Sequence, residues 1–170
     1  MLKKSVLDKL NEQFNHELAS AHLYYAMAAY FDSTNLKGFA NWMRIQAQEE
    51  LTHVHRIYTY IINRGARPHF DAAKAPRQDW KSPLDAVQNA YKHECFISEQ
   101  IGECVTLALK EGDHSTNTML QWFVNEQVEE EASADDVLQK LKLIGDNTSA
   151  MFLLDNELAR RSFAPEPGIQ

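Results

Sequence analysis

The chain has 170 residues and a net charge of −7, with no clustered basic stretch of the kind phosphate recognition needs, so nucleic acid is excluded as the expected partner. Its length suits one domain with a sizeable core, and with only 6 Gly and 5 Pro the long stretches between are dominated by helix formers, which predicts an all-α fold. No stretch approaches the roughly 18 apolar residues of a membrane span, and Cys95 and Cys104 match no CxxC pattern, so the expected location is the cytoplasm.

The first periodic stretch, about residues 5–32, carries Leu7, Leu10, Phe14, Glu17, Ala21, Tyr24, Ala28 and Phe31 on one seam, with Ser5 as its N-cap. A cap-rich turn, Asp32-Ser33-Thr34-Asn35, predicts an antiparallel return. The second helix, about residues 35–64, has the seam Leu36, Phe39, Met43, Gln46, Glu50, His53, Ile57 and Tyr60. Between Gly65 and Pro83 there is no sustained period. Extended, this segment reaches about 60 Å, more than the roughly 42 Å of a 28-residue helix, so it can run the length of a bundle.

Ser82 and Pro83 mark the start of the third helix, about residues 82–111, whose seam reads Leu84, Val87, Tyr91, Glu94, Ser98, Ile101, Val105 and Ala108. After Gly112-Asp113 the fourth, about residues 114–144, reads Leu120, Phe123, Gln127, Glu130, Ala134, Val137, Leu141 and Ile144. A short amphipathic helix, about residues 148–161, puts Met151, Leu154 and Leu158 on one face, and residues 162–170 are expected to be loose.

Each long seam is apolar except at mid-length, where it carries Glu17, Glu50 with His53, Glu94, or Gln127 with Glu130. Helices packed side by side bring their midpoints to one level, and four buried carboxylates repel one another unless cations neutralise them. Two divalent metals fit, and oxygen-rich ligation with one nitrogen suits iron or manganese better than structural zinc. The first half supplies Glu-x-x-His and the second Gln-x-x-Glu, so the two metals should be unequally held, with Glu50 as bridge. Glu49, Glu126 and Glu129 flank the seam and are candidates for a third cation site or an exit path. Tyr24 is either a core tyrosine or a neighbour of the metals, and the six remaining histidines read as surface residues.

These residues resemble the ferritins, and within them the bacterial non-haem ferritins, over about residues 1–161. The resemblance implies a four-helix bundle with one long crossover and a short fifth helix that points inward at fourfold axes of a 24-mer shell. It also implies a ferroxidase centre: Glu17, Glu50 and His53 for the first iron, Glu50, Glu94 and Glu130 for the second, and Gln127 beside them. A third iron would take Glu49, Glu126, Glu129 and Glu130. Tyr24 and Trp122 match residues beside the di-iron centre, for which the resemblance implies a part in electron transfer.

Ferrous iron would be oxidised by dioxygen or peroxide and stored as ferric oxyhydroxide. The bacterioferritins are similar but use a second Glu-x-x-His and a haem methionine, where this chain has Gln127-Val128-Glu129-Glu130 and Leu51, so no haem is expected. Rubrerythrins add CxxC pairs, which this chain lacks, and the small DNA-protecting relatives place ligands between subunits. A di-iron oxidase without storage, or a metal-free helical interaction protein, remains the alternative. Glu111 and Asp113 are candidates to line a channel.

Overall fold

A computed structural model of the chain describes residues 2–164; the end of the segment expected to be loose, from residue 165 onward, lies outside them. Five helices are formed: α1 (Lys4–Ser33), α2 (Lys37–Asn63), α3 (Pro83–Lys110), α4 (His114–Ile144) and α5 (Thr148–Leu158). There is no strand among the described residues, and none of these helices is long and apolar enough to cross a membrane.

The first four helices form the expected bundle because each buries the apolar stripe read from its periodicity. α2 returns antiparallel to α1 after a turn in which Asn35 adopts φ 62°. The segment after Gly65 then runs back along α1: the backbone N–H of His69 donates to Asn11 and that of Asp71 to Asn15. Phe70 packs edge-on against Phe14, and further along Trp80 meets Tyr30. α3 therefore starts at the far end of the bundle. There Ser82 accepts from the Asp85 N–H and Pro83 opens the helix.

Three local expectations are corrected. Ser5 is not the cap of α1; that place falls two residues earlier, to Lys3, whose carbonyl accepts from the Leu7 N–H, while Ser5 bonds to Glu111. Leu84, expected in the core, is 38 % exposed, and Ala86, Val87 and Ala90 bury the start of α3 in its place. α5 stops at Leu158, short of Arg161, because the Asn41 side chain takes up the Leu158, Ala159 and Arg161 carbonyls and leads the chain away along α2.

α5 is locked to the start of α2. The Asp155 carboxylate accepts the N–H groups of Gly38 and Phe39, at 2.8 and 3.0 Å, which satisfies donors that a helix N-terminus otherwise leaves without partners. That approach requires glycine: a Cβ on Gly38 would lie 1.6 Å from the Asp155 carbonyl oxygen.

At the opposite end, Glu111 pairs with Lys3, and Asp113 caps α4 through Thr116 while holding Arg64. Both acidic residues proposed for a channel are thus engaged within the chain. The core lies in two separate parts. One is built around Tyr24, Phe31, Phe39, Met43 and Leu138, the other around Phe14, Ile57, Ile97, Ile101 and Phe123.

Candidate metal centre

Between the two apolar parts lies a belt of buried polar side chains. Glu17 has no exposed surface, Glu50, His53 and Glu94 are each 2 % exposed, and Gln127 and Glu130 are 4 % and 6 % exposed. Mid-helix positions on helices packed side by side share a level, so the belt follows from four helices of similar length, 27 to 31 residues.

The first group is Glu17, Glu50 and His53. His53 Nδ1 lies 3.3 Å from Glu50 Oε2 and 3.6 Å from Glu17 Oε2. Glu17 Oε2 and His53 Nδ1 are buried and make no hydrogen bond, and all three residues offer ligand atoms within 4.8 Å of one another. Buried polar atoms are nearly always paired, so such convergence fits a cation. A second group joins the same imidazole to Glu126 and Glu130.

The other carboxylates are held by amides and a phenol. Glu94 accepts hydrogen bonds from the Tyr24 hydroxyl and from Gln127 Nε2. Glu130 accepts from Gln46 Nε2 at 2.6 Å, and Gln13 donates to Glu17 at 2.7 Å. Glu94 therefore stands in the belt but turns toward Tyr24 and Gln127, and neither ligand group includes it. Glu49 lies at the margin, paired with Arg161 at 2.6 Å, and Glu129 is exposed; neither joins a ligand group.

Electrostatics follow from this crowding. Burial pushes Glu50 well above the ordinary carboxylate range, and the charges of Glu94 and Glu17 add to it against the pull of His53. Burial and the charges of Glu94 and Glu49 push Glu130 up to about 8. Burial also raises Glu94, with Tyr24 and Gln127 opposing. At His53 burial disfavours the imidazolium, but Glu50 and Glu17 outweigh it and raise its pKa well above the ordinary value. Glu17 is likewise penalised by burial and yet held low, chiefly by His53. Protons here stand in for the positive charge that the carboxylates require.

Aromatic rings close the site. Trp122 stands edge-on to His53 with centroids 5.4 Å apart, and the Arg56 guanidinium lies 3.9 Å over its ring. Tyr24 is fully enclosed, with His93 against its ring. His93 is thus no surface histidine. Its Nε2 bonds to Ser20, and burial lowers its pKa to about 4, which keeps it neutral.

Reading the sequence singles out every buried carboxylate of the belt but misses Gln13, Gln46 and Arg161. Gln13 and Gln46 carry a usable signal, since each stands one helical turn, four residues, before a seam glutamate. Arg161 carries none.

Comparison with known proteins gives the chain's family. The sequence profile of the Ferritin family, described as a Ferritin-like domain, matches residues 7–144. A bacterial non-heme ferritin of Staphylococcus aureus (strain MRSA252) is 40 % identical over 166 residues, 98 % of this chain and 100 % of the relative. Its counterpart in Staphylococcus saprophyticus is 42 % identical over 163 residues, 96 % of this chain and 98 % of that one. Among solved structures, an open pore ferritin from the archaeon Archaeoglobus fulgidus superposes with a TM-score of 0.94 at 46 % identity, covering 95 % of this chain and 100 % of its own. A humanized archaeal ferritin superposes with a TM-score of 0.96, also at 46 % identity, over 97 % of this chain and 100 % of its own. With its bundle, its crossover and its buried carboxylate belt, the chain belongs to the ferritin-like family.

Proposed function

We propose that the protein is an iron store with ferroxidase activity, working in the cytoplasm as a 24-mer hollow shell. Ferrous iron is its substrate. Glu17, Glu50 and His53 hold one ferrous ion; Glu50, Glu94 and Glu130 hold the second, with Gln127 steadying Glu94. Glu50 is shared and keeps the two irons within reach of one oxidant. A third position uses Glu49, Glu126, Glu129 and Glu130, for which Glu129 must turn inward from its exposed site.

The observation that carries this reading is the convergence of Glu17 Oε2, Glu50 Oε2 and His53 Nδ1 in a buried, oxygen-rich group. Such a donor set suits iron better than a closed thiolate or imidazole site does.

In the net reaction four ferrous ions give one electron each to one dioxygen. With six waters they yield four ferric oxyhydroxide units and eight protons; peroxide takes the electrons of two ferrous ions. The residues of the chain bind and orient the ions, lose their own protons as the ions load, and exclude bulk water with the help of Phe123, packed against His53, and Met43, which lies beside Glu94 and Glu130. Tyr24 positions Glu94 through its hydroxyl, and Trp122 fixes the His53 ring from the other side. No haem takes part.

Ferrous ion added to the purified protein in air should be consumed with the growth of ferric absorbance, inside assemblies of hundreds of kilodaltons by sizing. A di-iron oxidase without storage would run the oxidation as a small oligomer with no mineral core. A chain that takes up no iron would be a metal-free bundle.

A further inference from the structure

The C-terminal side of α5 returns to the metal centre through one residue. Past Leu158 the Asn41 side chain holds the Arg161 carbonyl at 3.0 Å, which anchors that backbone beside the N-terminal part of α2, from which the long side chain points toward the middle. From there the Arg161 guanidinium reaches Glu49 Oε2 at 2.6 Å and Gln46 Oε1 at 3.0 Å. Gln46 in turn donates through its Nε2 to Glu130 at 2.6 Å. One cation is therefore joined to Glu49 directly and to Glu130 through an amide.

An ion pair that only docked α5 would have no reason to take in Gln46. Here the partners of Arg161 are the carboxylate at the edge of the belt and the amide that orients a belt carboxylate. Glu49 and Glu130 feel each other's charge, and Glu130 belongs with Glu126 and His53 to the second ligand group. A guanidinium cannot shed its proton, so its charge stays in place whatever the pH. The pair is neither dry nor free: the Arg161 and Glu49 side chains are 26 % and 23 % exposed, which leaves the guanidinium room to move into solvent.

We propose that Arg161 is a displaceable positioning residue for the third iron position: its guanidinium competes with a ferrous ion for Glu49, and moves aside when that ion binds Glu49 together with Glu126, Glu129 and Glu130. The inference rests on the ferroxidase reading of the centre. It makes the third position weaker than the first two by construction, because loading it exchanges one cation for another rather than adding one to a bare carboxylate. It also links occupancy of that position to the placement of the chain beyond α5.

The test is anaerobic titration calorimetry with ferrous ammonium sulfate on the assembled protein, on Arg161→Gln and on Arg161→Lys, with melting curves and sizing to confirm intact assemblies. Loss of a partly exposed ion pair is worth up to about 1 kcal/mol, so Arg161→Gln should bind its third ferrous ion roughly fivefold more tightly. Arg161→Lys, which keeps the charge but not the two-pronged geometry, should fall between. The gap between wild type and Arg161→Gln should narrow as sodium chloride is raised, a response that a purely structural contact would not give. An unchanged or weakened third ion in an intact Arg161→Gln assembly overturns the inference alone, as does a wild-type chain that binds two ions and no third. A wild-type chain that binds no ferrous ion overturns the ferroxidase reading as well.

Discussion

Gln46 donates its side-chain amide to Glu130 across a 2.6 Å hydrogen bond, joining the middle of α2 to the middle of α4 in the bundle interior. Glu130 is buried, and Gln46 is the donor that the surrounding helices offer it. Gln46→Ala should therefore cost about 1–3 kcal/mol, the penalty for leaving a buried polar group unmet. Chemical denaturation of the metal-stripped protein measures it. A change under about half a kcal/mol would mean that water replaces the amide without loss.

Removing a ligand from the first group should stop the chemistry while leaving the bundle assembled. Glu50→Ala and His53→Ala are each expected to lower the initial rate of ferrous oxidation by roughly 100-fold, since even outer partners of metal ligands cost 10- to 100-fold. Stopped-flow absorbance after mixing with aerated ferrous ion reads this. Unchanged initial rates in both variants would remove the ferroxidase proposal.

Stability should depend on pH in a direction set by the belt. Glu130 titrates at about 8 in the folded protein against an ordinary value of 4.5. Between those values the folded chain holds the extra proton, so this contribution is complete below 4.5 and is lost as the pH rises through about 8. His53, raised above its ordinary 6.5, acts in the same direction, and Glu17, held low, matters only in acid. Metal-stripped protein should melt at a lower temperature at about pH 8.5 than at about pH 6. A saturating divalent cation should reduce the difference, because the cation takes over the charge the protons supplied. Scanning calorimetry at the two values decides; a higher melting temperature in base without metal would contradict the assignment.

Gly38→Ala tests the lock between α5 and α2. With a Cβ 1.6 Å from the Asp155 carbonyl, α5 must shift, and the carboxylate that receives two α2 N–H groups shifts with it. Overpacking of this kind costs roughly 1–3 kcal/mol. Thermal melting of the variant should show that loss, and hydrogen exchange should locate it at the first turn of α2. Protection equal to wild type there would show that α5 is dispensable to the bundle.

Much of this molecule is readable in one dimension because a carboxylate on an apolar helical stripe has no bland explanation when four stripes carry one at the same height. Glu17, Glu50, Glu94 and Glu130 stand out for that reason, and the turns at Gly65, Gly112 and Gly145, all at positive φ, mark where helices stop. What escapes is whatever depends on a neighbour distant in sequence. His93 looks like a surface residue on α3 until Ser20 and Tyr24 of α1 cover it. Arg161 lies beyond the last periodic turn and gains its role only because Asn41 bends the chain back. Glu94 is legible as a belt residue, but its turn toward Tyr24 is fixed by hydrogen-bond geometry that no spacing encodes.

Because polar side chains interrupt the core at mid-length, the bundle is in effect two hydrophobic modules sharing four rods. The two modules are coupled through the rods, the charged waist and the crossover, whose Phe70 packs on Phe14 of one module and whose Trp80 packs on Tyr30 of the other. A cation captured in either group ties α2 to α1 or to α4 at the height of the belt, so its effect should reach amide protons on both sides of it, near Ile57 and near Leu138 alike, though neither residue is a ligand. Loading iron would then act on this protein as a crossbar, converting two loosely coupled cooperative units into one.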